Sequence, residues 1–169
     1  MAITKVTSSV LDVDIPAYKA FGTSSIMIGD DATGTIDGAN YNTGLGVDVF
    51  AGLTTGDYNV AVGFSAGAAI TTGLYNTLIG GLTGDALTDA DENVAVGTSA
   101  LGSDTLGSKS TAIGASALNA QNFTSATDTY NTAVGYYAGV AVTTGVQNTF
   151  IGGNSAISNT TGGGNVGVG

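Results

Sequence analysis

The chain has 169 residues, and its 3 lysines face 13 acidic residues for a net charge of −10, with no cysteine, histidine or tryptophan. That inventory excludes a disulfide framework, a thiolate nucleophile, a Ser-His-Asp triad and a zinc site of the usual ligands. It also excludes a nucleic-acid groove, which rests on Lys and Arg, and with 28 glycines, 43% hydrophobic and only 9% charged residues the chain matches neither ordinary disorder nor an average globular domain.

Residues 1–24 come first and stand apart. The opening Met1-Ala2-Ile3-Thr4-Lys5-Val6 has no long apolar core, so no Sec-type signal is expected. No apolar run approaches the 18 or so residues of a membrane span. Residues 3–13 alternate loosely and lead into Pro16, Tyr18 and Phe21, which reads as a strand-like arm and a separate N-terminal element.

From residue 25 to residue 169 a single pattern, [Asn/Ser]-x-x-[Ile/Leu/Val]-Gly, recurs. It begins at Ser25, Asn42, Asn59, Asn76, Asn93, Ser110, Asn131, Asn148 and Asn165, and closes on Gly29, Gly46, Gly63, Gly80, Gly97, Gly114, Gly135, Gly152 and Gly169. Seven of the eight spacings are 17 residues; the exception, from Ser110 to Asn131, is 21. Counting from the Asn or Ser as position 1, position 2 is β-branched, position 4 is a branched aliphatic, and position 3 is mostly small, as in Ala61, Ala95, Ala112 and Ala133. Period-2 alternation of this kind predicts a short strand. The glycine permits a sharp turn, and Thr-Thr-Gly at residues 54–56, 71–73, 143–145 and 160–162 supplies another.

A 17-residue unit cannot bury its own apolar face, but stacked units can. The expectation is therefore an all-β chain, a parallel β-solenoid of 17-residue coils about 4.8 Å apart, roughly 40 Å long. Position 4 would form the aliphatic column that stacking buries, position 1 a ladder of asparagine amides, and position 3 a second, small-residue face allowing close approach of neighbouring coils. The extra four residues, within 121–130, should bulge outward without breaking the stack. A helix is excluded by the regular glycines.

The units Asn59-Val-Ala-Val-Gly-Phe-Ser-Ala-Gly and Tyr130-Asn-Thr-Ala-Val-Gly-Tyr-Tyr-Ala-Gly resemble the head repeats of YadA-type trimeric adhesins, and still more the related repeats of bacteriophage tail fibres. The opening Met-Ala-Ile-Thr-Lys-Val also resembles the start of many phage fibre proteins. The resemblance implies a left-handed β-roll, a homotrimer about a common axis, and an attachment role on a filament. The expected protein is a non-enzymatic virion component, a tail fibre or capsid-attached fibre. Its residues 1–24 would dock to other virion proteins, and residues 25–169 would form a shaft or head that meets a host-surface glycan. Neither a signal peptide nor a C-terminal membrane barrel is expected, which favours the phage reading over a bacterial adhesin head. The stop at Gly169, in mid-coil, suggests that the natural chain continues. A monomeric ice-binding solenoid is the reading from another class.

Acidic residues are the remaining source of chemistry. Asp31 and Asp48 share position 7 of consecutive coils, a spacing that suits Ca²⁺ or a carboxylate pair acting on a glycosidic bond; the plainer reading, solvated surface carboxylates, is preferred. The same holds for Asp85, Asp89, Asp91 and Glu92 as an acidic turn. Thr54, Thr71, Thr88, Thr105, Thr143 and Thr160 share position 13, and an ordered-water face is weighed there against ordinary turn threonines. Tyr41, Tyr58, Tyr75 and Tyr130, each preceding a motif Asn, are read as corner stacking before sugar binding. The residues expected to carry the repeat are Asn42, Gly46, Asn59, Gly63, Asn76, Gly80, Asn93, Gly97, Asn131, Gly135, Asn148 and Gly152.

Overall fold

A computed structural model describes residues 17–21, 25–29 and 38–169. In chain order the strands are β1 (Ala17–Phe21), β2 (Ser25–Gly29), β3 (Thr43–Gly46), β4 (Val60–Val62), β5 (Thr77–Ile79), β6 (Val94–Val96), β7 (Gly107–Ser108), β8 (Thr111–Ile113), β9 (Thr127–Asp128), β10 (Thr132–Val134), β11 (Thr149–Ile151) and β12 (Val166–Val168). Ten of them form one sheet, ordered β1-β2-β3-β4-β5-β6-β8-β10-β11-β12. From β2 onward every pairing is parallel and in register, each motif residue opposite its equivalent in the next coil, as in Val60↔Thr77 and Val62↔Ile79. The chain is a parallel β-solenoid. β1 runs antiparallel to β2, with Ala17 opposite Gly29, so the end of the N-terminal element joins the sheet. Residues 1–16 and 22–24 of the expected docking arm lie outside the described residues.

The strands stop after three to five residues because the motif glycine turns the chain. From Gly46 to Gly152 it adopts φ between +118° and +140°, a region essentially closed to L side chains. A Cβ at Gly63, Gly97 or Gly135 would also lie under 3.0 Å from backbone of the next coil's motif glycine. The other corners also use left-handed residues, glycine at Gly67, Gly84 and Gly139 but elsewhere residues with side chains, among them Ser65 at position 7, Leu101 at position 9 and Tyr75 at position 17. Each of the latter costs roughly 1–2 kcal/mol. In return the corner amides keep bonding coil to coil, as Ser65 N–H does to the Val47 carbonyl (2.9 Å) and Tyr75 N–H to the Asp57 carbonyl (3.1 Å).

Burial overturns the expected sidedness of the strands. Position 3 points inward: Met27, Ala61, Leu78, Ala95, Ala112, Ala133 and Phe150 are buried. Position 4 points outward, with Leu45, Ile79, Ile113 and Ile151 between 38% and 48% exposed. The interior is narrow and is filled jointly from position 3, position 9 and the aliphatics at position 12, so it cannot hold a branched aliphatic on every strand. Large and small residues trade across it. Phe50 fills the space beside Gly44, and Leu78 and Phe50 together close the gap at Gly67. Leu118 and Phe150 do the same at Gly139. This interdigitation brings the core toward close packing.

Position 1 forms the expected ladder. Asn42, Asn59, Asn76, Asn93, Asn131 and Asn148 are buried. The Oδ1 of Asn59 accepts the backbone N–H of Asn76 (2.9 Å), while its Nδ2 donates to the Gly73 carbonyl closing the same coil (2.8 Å). The insertion interrupts this ladder without breaking the stack. At Ser110 the amide of Gln121 links the coils instead: its Nε2 donates to Ser110 Oγ (2.8 Å) and to Asp104 Oδ2, and its Oε1 accepts from Asn131 Nδ2 (2.8 Å). Thr129 joins through its hydroxyl to Ser110 and accepts the Asn131 N–H. Asp104 sits at position 12, where the preceding coil carries Leu87 and the following coil Gln121. Its buried carboxylate accepts the N–H groups of Gly107 (3.1 Å) and Phe123 (3.0 Å). Among the described residues no buried polar side-chain atom lacks a partner. The added residues emerge as an exposed tip at 124–126, and the short β7–β9 pairing carries the chain back to the stack.

Candidate functional site

The outward side of the strands is the most distinctive surface. Position 2 supplies Thr43, Val60, Thr77, Val94, Thr111, Thr132, Thr149 and Val166, and position 4 supplies Leu45, Val62, Ile79, Val96, Ile113, Val134, Ile151 and Val168. All are β-branched or aliphatic because a regular parallel sheet favours such residues on either face, yet none of the described residues packs over them. The strands are flanked by position 17, with Tyr41, Tyr58, Tyr75 and Tyr130 exposed, and by position 6, with Val47, Phe64 and Tyr136 exposed. In these four columns from residue 41 onward the charges are Glu92 and Lys109 alone. Eight coils at about 4.8 Å and three strand residues at about 3.3 Å make a flat strand face of roughly 38 by 10 Å, or about 400 Å², which the position-17 and position-6 side chains border. Monomeric proteins rarely expose an apolar patch beyond a few hundred Å².

Three of the tyrosines form a true column. Tyr41 and Tyr58 stack with ring centroids 4.8 Å apart, Tyr58 and Tyr75 at 4.9 Å, within 9° of parallel. Partial burial, with Tyr41, Tyr75 and Asp57 alongside, raises the Tyr58 phenol above its ordinary value. Since each ring covers its neighbour's face, the column offers edges and hydroxyls rather than a sugar-stacking platform. Tyr130 is separate: its hydroxyl and the Lys109 ammonium meet at Asp128, at 3.1 and 2.6 Å. The lysine hydrogen bond holds the Asp128 carboxyl below its usual range, and the same bond raises Lys109.

The acidic candidates are dispersed. Asp48 sits at a left-handed corner, Asp31 lies outside the described residues, and the next position-7 residue is Ser65. Asp91 Oδ1 accepts the Leu74 N–H (2.7 Å) and Asp89 accepts the Thr72 hydroxyl, so the acidic turn is tied to the preceding coil. Burial raises the Asp85 carboxyl. Among the described residues no group of three or more Asp or Glu is arranged to hold a metal. The position-13 threonines spend their hydroxyls on the stack: Thr54, Thr71 and Thr88 each donate to the next threonine's carbonyl at 3.0–3.2 Å.

The network of Asp104, Ser110, Gln121 and Thr129 was not anticipated from sequence; the signal for it was the coincidence of Ser for Asn at position 1 with polar residues at two successive position-12 sites. Compared with family models, curated proteins and solved structures, the chain matches none.

Proposed function

We propose that this chain is a non-enzymatic virion structural protein, a fibre subunit that assembles as a homotrimer and takes part in attachment to a host surface. The observation that carries this reading is the uncovered, almost uncharged aliphatic sheet face. It runs the length of the stack, and a rod that repeats every coil is best covered along its whole length by another rod of the same repeat. Three copies about a common axis would shield every such face, and the resemblance of the repeat to phage fibre repeats supports the virion setting. Glycan recognition would be weak per site and strengthened by multivalency. Ice binding draws little support from threonines already bonded to backbone carbonyls.

The test is the native mass of residues 1–169 together with Ile79→Asp/Ile113→Asp, which places carboxylates on the exposed face. A three-chain species for the parent and a folded monomer for the variant are expected. A folded parent that stays monomeric at all concentrations overturns the reading.

A further inference from the structure

Among the described residues, position 17 is where three side chains of one oxidisable type stand in line. Tyr41, Tyr58 and Tyr75 have φ of 59°, 60° and 59°, so equal backbones launch the three rings in the same direction. The rings follow one another at 4.8 and 4.9 Å, tilted by 9° and 5°. In a stack of equal orientation each ring atom lies about one ring separation from its counterpart. The ortho carbons beside consecutive hydroxyls are therefore held as near neighbours.

The bases of these side chains are clamped and their outer ends are free. Each tyrosine precedes a ladder asparagine, and Asn59 N–H donates to Asn42 Oδ1 (2.8 Å) as Asn76 N–H does to Asn59 Oδ1 (2.9 Å). The rings themselves are 46%, 45% and 54% exposed, and their hydroxyls make no hydrogen bond to a described residue. Exposed ring ends can thus swing toward each other while the backbone stays in register. Tyr130 lacks both features: its hydroxyl donates to Asp128, and its column neighbours are Lys109 and Gln147.

We infer that this column is a site of oxidative modification, at which a haem peroxidase with hydrogen peroxide, or another one-electron oxidant of that class, joins Tyr58 to Tyr41 or Tyr75 through their ortho carbons. Each phenol gives up one electron and its hydroxyl proton. The two phenoxyl radicals form one carbon–carbon bond, and the two ortho hydrogens then move to the oxygens and restore both phenols. One hydrogen peroxide is reduced to two waters for each link. Holding the partners side by side turns a chance encounter into a reaction between neighbours. The product staples one coil to the next outside the sheet. A single chain suffices, so the inference does not rest on self-association.

Treatment of dilute residues 1–169 with a haem peroxidase and hydrogen peroxide tests it, followed by cleavage on the amino side of aspartate. That cleavage separates residues 37–47, which hold Tyr41, from residues 57–84, which hold Tyr58 and Tyr75. Expected are the blue fluorescence of a linked bisphenol and a link at Tyr58, either between those two peptides or within 57–84. The treated chain should keep the mass of one subunit under denaturing conditions. Tyr58→Phe preserves a stacked ring and should lose these links, because Tyr41 and Tyr75 are two coils apart. Unfolding the parent in urea before treatment should scatter the links over other tyrosines. No link at Tyr58 in the folded parent, under conditions that couple free tyrosine, would overturn the inference. So would links between chains in place of links within one, or an equal yield from the Tyr58→Phe chain.

Discussion

The regular coils between Asn42 and Lys109 and the irregular coil from Ser110 to Tyr130 solve the same problem with different residues. In the regular coils one asparagine satisfies the carbonyl that closes its own coil and the amide that opens the next, as Asn76 does with Ala90 and Asn93. Around the irregular coil the Thr129 hydroxyl accepts the amide that opens the next coil, and Ser110, Gln121, Thr129 and Asp104 of the preceding coil bond to one another. The stack therefore does not require asparagine as such. It requires that the inward-pointing backbone groups at this corner find partners, because a buried unpaired donor or acceptor costs about 1–3 kcal/mol.

The comparison is sharpest where the two regions should behave alike. Gly97 and Gly114 have φ of +130° and +132°, and each faces the backbone of the following motif glycine. Replacing either by Ala should cost about 4 kcal/mol, from a disallowed conformation plus a clash with backbone. Equal losses in chemical denaturation are expected, and a markedly cheaper Gly114→Ala would show that the insertion relaxes the stack. Next in size, Asn76→Ala removes the clamp in a regular coil and should cost about 3 kcal/mol. In the irregular coil Gln121→Val should cost about 2 kcal/mol, and adding Ser110→Asn should restore much of it; a second change that only deepens the loss would mean that the network does not substitute for the ladder.

The smallest effect is expected at Lys109→Met, beside the insertion. The hydrogen bond to Lys109 holds the Asp128 carboxyl down, so its contribution is present above the usual aspartate range and fades as pH falls through the lowered value. The lysine is raised by the same bond, so its own contribution is present up to the ordinary lysine range and fades as pH rises through the raised value. With lysine removed, the Asp128 titration followed by NMR should move up toward an ordinary carboxyl, with little change in stability because the pair is on the surface.

Much of the architecture was legible because it is written as a period. A turn glycine every 17 residues, a β-branched strand before it and an asparagine at its start leave little choice but in-register stacking, and the structure shows each of these. The tyrosines at position 17 also declared themselves, since an aromatic at a fixed point of a parallel coil must meet its equivalent about 4.8 Å away. The candidate surface was legible only as a list of residues. By sequence its position-4 column reads as buried because it is always a branched aliphatic, and position 3 reads as a second face because it is mostly small, whereas the structure reverses the two.

Sequence alone determined the repeat, the coil length, the parallel register and the buried asparagine ladder, because each depends on local conformational preference repeated at a fixed interval. Tertiary structure decided which side of each strand faces inward, since that depends on how much volume the opposite wall of the coil leaves free: Phe50 reaching across a narrow interior meets Gly44, and Leu78 meets Gly67 and Gly84. It likewise brought Asp104, Ser110, Gln121 and Thr129 together, because their meeting follows from where the insertion leaves the stack and returns to it, and no local preference encodes that path.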